Sequence, residues 1–160
     1  MSDMLVKLFN LNSEEKLLNN LLNEGIHIKR ALAPDRTKIL EFVMDNFEEN
    51  YVDECMAAFS NNPVTCYIAT KNKKVIGFAC YETTAKDYFG PMGVQENERC
   101  KGIGKALLNK CLMSMWEMGY GYAIIGWPTK SAVSFYEKSV NAQLIEDLSP
   151  GIYKRMIEFD

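Results

Sequence analysis

Histidine is almost missing from this chain: His27 is the only one in 160 residues. Cysteine is present five times (Cys55, Cys66, Cys80, Cys100, Cys111) but never as Cys-x-x-Cys. An odd, scattered set with one imidazole forms neither a disulfide framework nor a zinc motif, so no metal is expected and a reducing compartment is. A basic surplus is also lacking. The net charge of −3 argues against general affinity for nucleic acid or anionic membranes. Long apolar runs, repeats and low-complexity tracts are absent. The amino terminus carries Asp3, Lys7, Glu14 and Glu15 without an apolar stretch, so neither a leader nor a membrane span is expected, and the cytoplasm is the expected compartment. His27 reads as a structural or exposed residue within a strand.

What is present suits one domain with a sizeable core: 48% apolar and 24% charged residues. The most informative stretch runs from Val94 to Leu108. It leaves a strand, turns through Arg99, Cys100, Lys101, Gly102, Ile103, Gly104 and Lys105, and enters a helix. A helix start with free backbone N–H groups, small residues and added positive charge is a natural anion site.

Ser13–Leu22 reads as a short amphipathic helix, with Ser13 as cap and an apolar stripe of Leu17, Leu18, Leu21 and Leu22. It can pack on the main domain or on a partner, including a second copy. This divides the chain into a helical extension, 1–25, and a main domain, 26–160. Ile26–Leu32 reads as the first strand, Pro34 opens a helix, and a second helix covers Tyr51–Phe59. Thr65–Thr70 and Val75–Thr83 form a hairpin about Lys71-Asn-Lys-Lys74. Tyr88–Val94 is a strand interrupted by Gly90, Pro91 and Gly93, hence bulged or splayed. Gly102–Met118 is the strongest helix, Tyr122–Trp127 a buried strand, and a helix capped by Thr129 or Ser131 runs to about Lys138. Ala142–Ile145 and Ile152–Phe159 read as closing strands. The result is a mixed α/β (α+β) fold.

Two phosphate templates fail on the turn. A P-loop would need Gly at Arg99 and Ser or Thr at Ala106; a dinucleotide fingerprint would need Gly at Leu107. What remains is Arg99-x-x-Gly102-x-Gly104, followed downstream by Ala132-Val-Ser-Phe-Tyr-Glu-Lys138. In these two motifs and their element order the sequence resembles the GCN5-related N-acetyltransferase (GNAT) superfamily, over roughly Ile26–Glu158.

The resemblance implies a mixed sheet splayed between its fourth and fifth strands and flanked by helices. It implies transfer of an acetyl group from acetyl-CoA to a primary amine by direct attack in a ternary complex. The backbone of Met92, Gly93 and Val94 would pair with the pantetheine amides. The turn from Arg99 to Lys105 would hold the pyrophosphate, with Thr129 where the family often has Asn. Tyr136 matches the general acid that protonates the departing thiolate. Glu82 is the candidate base and Asp87 its neighbour. Cys100 stands where the family commonly has Gly and reads as a tolerated substitution. The family's Gly after Tyr-Glu-Lys is missing, and Asn141 can supply the left-handed conformation instead. A non-catalytic acyl-CoA sensor on the same fold is the other reading, and the acceptor is left open.

Overall fold

The computed structural model describes residues 2–146 and 149–159. A seven-stranded sheet in the order β2-β3-β4-β5-β6-β1-β7 organises it. The strands are β1 (Met4–Lys7), β2 (Ile26–Arg30), β3 (Cys66–Lys71), β4 (Lys74–Tyr81), β5 (Tyr88–Val94), β6 (Tyr122–Ile125) and β7 (Gln143–Leu144). The helices are α1 (Glu15–Asn23), α2 (Arg36–Asn46), α3 (Glu49–Ala58), α4 (Ile103–Glu117) and α5 (Lys130–Val140). All neighbouring strands whose pairing is given run antiparallel except β5 and β6, which are parallel and joined by the α4 crossover.

Strand alternation splits the core in two. Cys66, Ile68, Phe78 and Cys80 face α2 and α3, meeting Ile39, Val43, Val52 and Ala58. Ala69, Ala79 and Tyr81 face the other way, onto Leu107, Cys111 and Met115 of α4 and Leu21 of α1. The mixed α/β class expected from the element order is the one observed. The hairpin turn falls on Asn72 and Lys73, both left-handed, and Asn141 ends α5 at φ 52°, ψ 37°.

Three expectations need correction. The segment before Gly25 is not an extension outside the sheet. Met4–Lys7 is an inner strand between β6 and β7, with Met4 and Val6 fully buried. Ile152–Phe159 is not a strand; Gly151–Arg155 and Ile157–Phe159 are 3-10 turns. The edge of β6 that a closing strand could have used is occupied by β1. Ser13 does not cap α1, whose cap is Glu14 without a side-chain bond. Most of the leucine stripe packs within the chain: Leu21 is buried and Leu17 and Leu18 lie on the α4 side of the core, while Leu22 is exposed.

Arg30, at the end of β2, ties α4 to the sheet. Its guanidinium donates to Tyr81 Oη at 2.6 Å, Val64 O at 2.7 Å, Tyr67 Oη at 3.0 Å and Ser114 Oγ at 3.2 Å. It also lies over the Tyr67 ring at 4.7 Å. Replacing it with Ala strands several half-buried acceptors, so Arg30→Ala should cost about 2–4 kcal/mol of unfolding free energy in urea titrations. Arg30→Lys should recover only part, because an ammonium cannot fork to these partners.

Candidate active site

The site begins where β5 leaves β6. The two strands pair only at Tyr88↔Ile124 and Phe89↔Ile125, then diverge from Gly90 onward. A cleft of about 1080 Å³ opens in the wedge, between α3, the start of α4 and α5. The expected splay and bulge are both observed, the bulge setting Gly90 and Pro91 of β5 against Cys80 of β4.

Register decides which β5 groups face the cleft. Gln95 N–H donates to Ile76 O at 2.9 Å, and Gly93 pairs with Phe78. With alternation, the N–H and C=O of Gly93 therefore turn to β4, while those of Met92 and Val94 turn to the splay. Val94 O already accepts from Arg99 Nε at 3.0 Å. The edge open to a ligand is thus Met92 N–H, Met92 C=O and Val94 N–H. Gly93 serves differently from the expectation: a Cβ there would sit 2.3–2.8 Å from Phe47 ring carbons. Its missing side chain admits the ring that walls the cleft.

At the start of α4, the backbone N–H groups from Cys100 through Lys105 meet no acceptor among the described residues; the first helical bond is Ala106 N–H to Gly102 O. Gly102 is the cap at φ 87°. A Cβ there would lie 2.7 Å from Leu17 Cδ1 of α1, so the position needs glycine for conformation and space alike. Cys100 is exposed and also left-handed, φ 64°, which explains why glycine suits that position. Ile103 is buried and anchors the helix start in the core. Gly104 and Lys105 line the cleft, and Lys105 Nζ lies 3.3 Å from Glu14. Lys101 does not line it; its ammonium pairs with Glu98, which does. Thr129 lines the opposite wall and caps α5 by accepting from Ala132 N–H.

Tyr136 projects from α5 into the same cleft. It is 8% exposed, and its ring meets Phe89 and Phe135 edge-on. No described residue hydrogen-bonds its hydroxyl. Burial, reinforced by Tyr51 and Cys111, pushes the phenol well above its ordinary range, so it stays protonated.

The structure places the candidate base away from the cleft. Glu82 does not line the cleft; its carboxylate accepts from Asp87 N–H at 2.6 Å and Tyr120 Oη at 3.1 Å, locking the turn before β5. Asp87 is absent from the cleft too, and its buried Oδ1 has no partner among the described residues. Burial, then Glu82, raises the Asp87 carboxyl from 3.8 to about 6. Between those values the folded chain keeps a proton that the unfolded chain has released, so stability falls as pH rises through that window. Asp87→Asn should flatten that loss in melting curves taken from pH 4 to pH 7, since Asn tolerates the left-handed backbone at φ 68°.

The carboxylate that sequence reasoning missed is Glu54, on α3. It lines the cleft and accepts from Thr84 Oγ1 at 3.1 Å. Burial raises its carboxyl above the usual range, opposed by the Thr84 bond and assisted by Asp53. Its helical setting, one residue before buried Cys55, was the available signal: it stands beside the buried stripe of α3 rather than opposite it.

Beyond Glu54 the cleft is acidic and aromatic, with Glu48, Asp53 and Glu158 near Tyr51, Trp127 and Tyr153. Tyr153 stacks on Trp127 at 4.0 Å and fills the space beside Gly126. Asp3 holds this end together: its buried carboxylate accepts from Trp127 N–H at 3.1 Å and Tyr88 Oη at 3.2 Å. Burial and Asp3 push the Tyr88 phenol up to about 12.

Comparison with known proteins gives this geometry its context. No curated protein sequence matches the chain. Among solved structures, the GCN5-related glucosamine N-acetyltransferase region of a fungal multi-domain beta-N-acetylglucosaminidase superposes with a TM-score of 0.72 at 15% identity, covering 90% of this chain and 19% of that one. A GCN5-related N-acetyltransferase from Sphaerobacter thermophilus gives 0.66 at 17%, covering 90% and 48%. A GNAT family acetyltransferase from Brucella melitensis, in complex with acetyl-CoA, gives 0.54 at 17%, covering 75% and 86%. The chain thus spans only a fifth to a half of the first two. These likenesses establish the fold. The profile of the acetyltransferase (GNAT) family matches residues 36–141, from the start of α2 to the end of α5. The chain belongs to the GNAT acetyltransferase family.

Proposed function

We propose that this chain transfers an acetyl group from acetyl-CoA to a primary amine that carries further positive charge. The observation that supports this best is the meeting, in one cleft, of an unpaired run of N–H groups, an open strand edge and an unpartnered phenol. The N–H groups from Cys100 to Lys105 and the positive end of α4 suit a pyrophosphate. Met92 and Val94 offer strand-like pairing to the pantetheine amides. The bound thioester supplies an activated acetyl carbon.

Glu54 takes the ammonium proton of the acceptor, and the neutral amine attacks the thioester carbonyl. The C–N bond forms, the C–S bond breaks, and Tyr136 gives its proton to the departing sulfur. The surplus proton on nitrogen passes to solvent, from which Tyr136 is reprotonated. Glu48, Asp53 and Glu158 favour an acceptor with a second cation, and the faces of Tyr51, Trp127 and Tyr153 suit its charged or apolar parts.

Isothermal calorimetry tests the cofactor. Acetyl-CoA should bind the chain with one-to-one stoichiometry. Gly102→Ala should weaken binding by about tenfold, since a left-handed Ala and its clash with Leu17 re-aim the N–H groups. Absence of binding at saturating ligand would refute the proposal; binding with no transfer to any amine would favour the sensor reading instead.

A further inference from the structure

Three of the five cysteines meet in the core at the back of the cleft. Cys55 comes from α3, Cys66 from β3 and Cys80 from β4, and their sulfurs all lie within 4.8 Å of one another. Each is fully buried. Cys66 and Cys80 are directly opposed across the β3–β4 ladder. Tyr81 N–H donates to Thr65 O in the adjoining pair, so the cysteines occupy a non-hydrogen-bonded site, where side chains stand closest. The apolar neighbours include Ala31, Ile39, Val43, Val52, Ala58 and Phe78, and among the described residues no His, Asp or Glu ligand atom joins the three sulfurs.

Buried thiols usually act as small hydrophobes. Convergence of three from separate elements adds coordinating capacity. Three sulfurs each about 2.3 Å from one atom lie about 4.0 Å apart when planar with it and closer when pyramidal, so this trio, all within 4.8 Å, needs to draw in by up to about an ångström. The missing partners then select the ion. Zinc almost always takes four ligands in a structural site, and no fourth donor is present among the described residues. Charge is as decisive, because an uncompensated ion in an apolar core is costly. Three thiolates around a monovalent ion leave two negative charges, around a divalent ion one, and around a trivalent ion none.

We propose that Cys55, Cys66 and Cys80 form a three-sulfur site for a trivalent thiophilic metalloid, of which arsenic(III) is the type. Arsenous acid, As(OH)₃, exchanges its hydroxides for the three thiols. Three As–S bonds form, three As–O bonds break, and each thiol proton leaves with a hydroxide as water. Arsenic stays trivalent throughout, so no oxidant or reductant is needed, and the product is neutral. The site is separate from acetyl transfer, although Cys55 adjoins Glu54 on α3.

The test uses the whole chain, kept reduced with a phosphine, and sodium arsenite as probe. Native mass spectrometry should show one arsenic per chain, and X-ray absorption at the arsenic edge should show three sulfur neighbours and no oxygen. Cys55→Ser and Cys80→Ala should each weaken binding by about tenfold or more; Cys100→Ser should bind as the unaltered chain does. Circular dichroism identifies variants that remain folded, and if neither does, the sulfur count on the unaltered chain decides alone. Fewer than three sulfurs, equal binding by a folded trio variant, or displacement of arsenic by equimolar zinc would overturn the proposal.

Discussion

Tyr136→Phe should lower kcat by about 10²–10³-fold, within the range of a lost general acid, and leave the acetyl-CoA Kd unchanged. That is a loss of about 3–4 kcal/mol of transition-state stabilisation. The two measurements are separable because the hydroxyl meets no described residue, while the ring packs on Phe89 and Phe135 and stays in the variant. Removing a hydroxyl that faces the cleft and bonds no described residue should not destabilise the fold either, so Tm should hold or rise slightly. Stopped assays with the preferred amine, beside calorimetry with acetyl-CoA, decide the matter. An unchanged kcat would remove Tyr136 from the chemistry. A fall in affinity as large as the fall in kcat would make it a binding residue.

Glu54→Gln should lower kcat/KM near neutral pH by about 10²-fold, and the rate profile should change shape. In the unaltered enzyme activity should rise with pH as the Glu54 carboxyl ionises. That limb should lie above the ordinary carboxylate range, because burial disfavours the charged form. In the variant it should vanish, leaving a low rate set by whichever amine molecules are already neutral. Glu82→Gln is the control. It weakens the bonds that hold the Asp87 turn and Tyr120, so it should reduce stability while keeping most of the turnover per folded molecule. If Glu82→Gln abolished transfer and Glu54→Gln did not, the two roles would be exchanged.

The cationic acceptor can be tested with the same enzyme. Diamines should outperform neutral monoamines in kcat/KM, and added salt should narrow the difference, since part of the attraction comes from carboxylates at the cleft mouth.

Local features of this protein were legible in its sequence because their causes act over a few residues. Left-handed backbone at Gly102 and Asn141, the Asn72-Lys73 turn, and the apolar face of α4 follow from sterics and from helical and strand periodicity. The candidate anion turn and Tyr136 were legible through motif spacing within single strand-to-helix and helical units. Questions about which distant groups share a space had no such local cause. Glu54 and Glu82 are both carboxylates near element ends, and only the packing of α3 beside the splay puts the first in the cleft and the second outside it. Lys101 and Lys105 flank the same glycines, but only Lys105 lines the cleft, Lys101 being paired with Glu98. β1 is four residues long, too short for its pattern to stand out, and its place between β6 and β7 is a matter of sheet order. The meeting of Asp3 with Trp127, and of Cys55 with Cys66 and Cys80, depends on the same long-range pairing. Sequence by itself determined the family, the anion turn and the candidate acid. Tertiary structure alone put Glu54 in the cleft, turned Met92 and Val94 rather than Gly93 to the splay, and gathered acidic and aromatic side chains at the far end, because strand order and layer packing bring together side chains whose separation along the chain carries no signal of their contact.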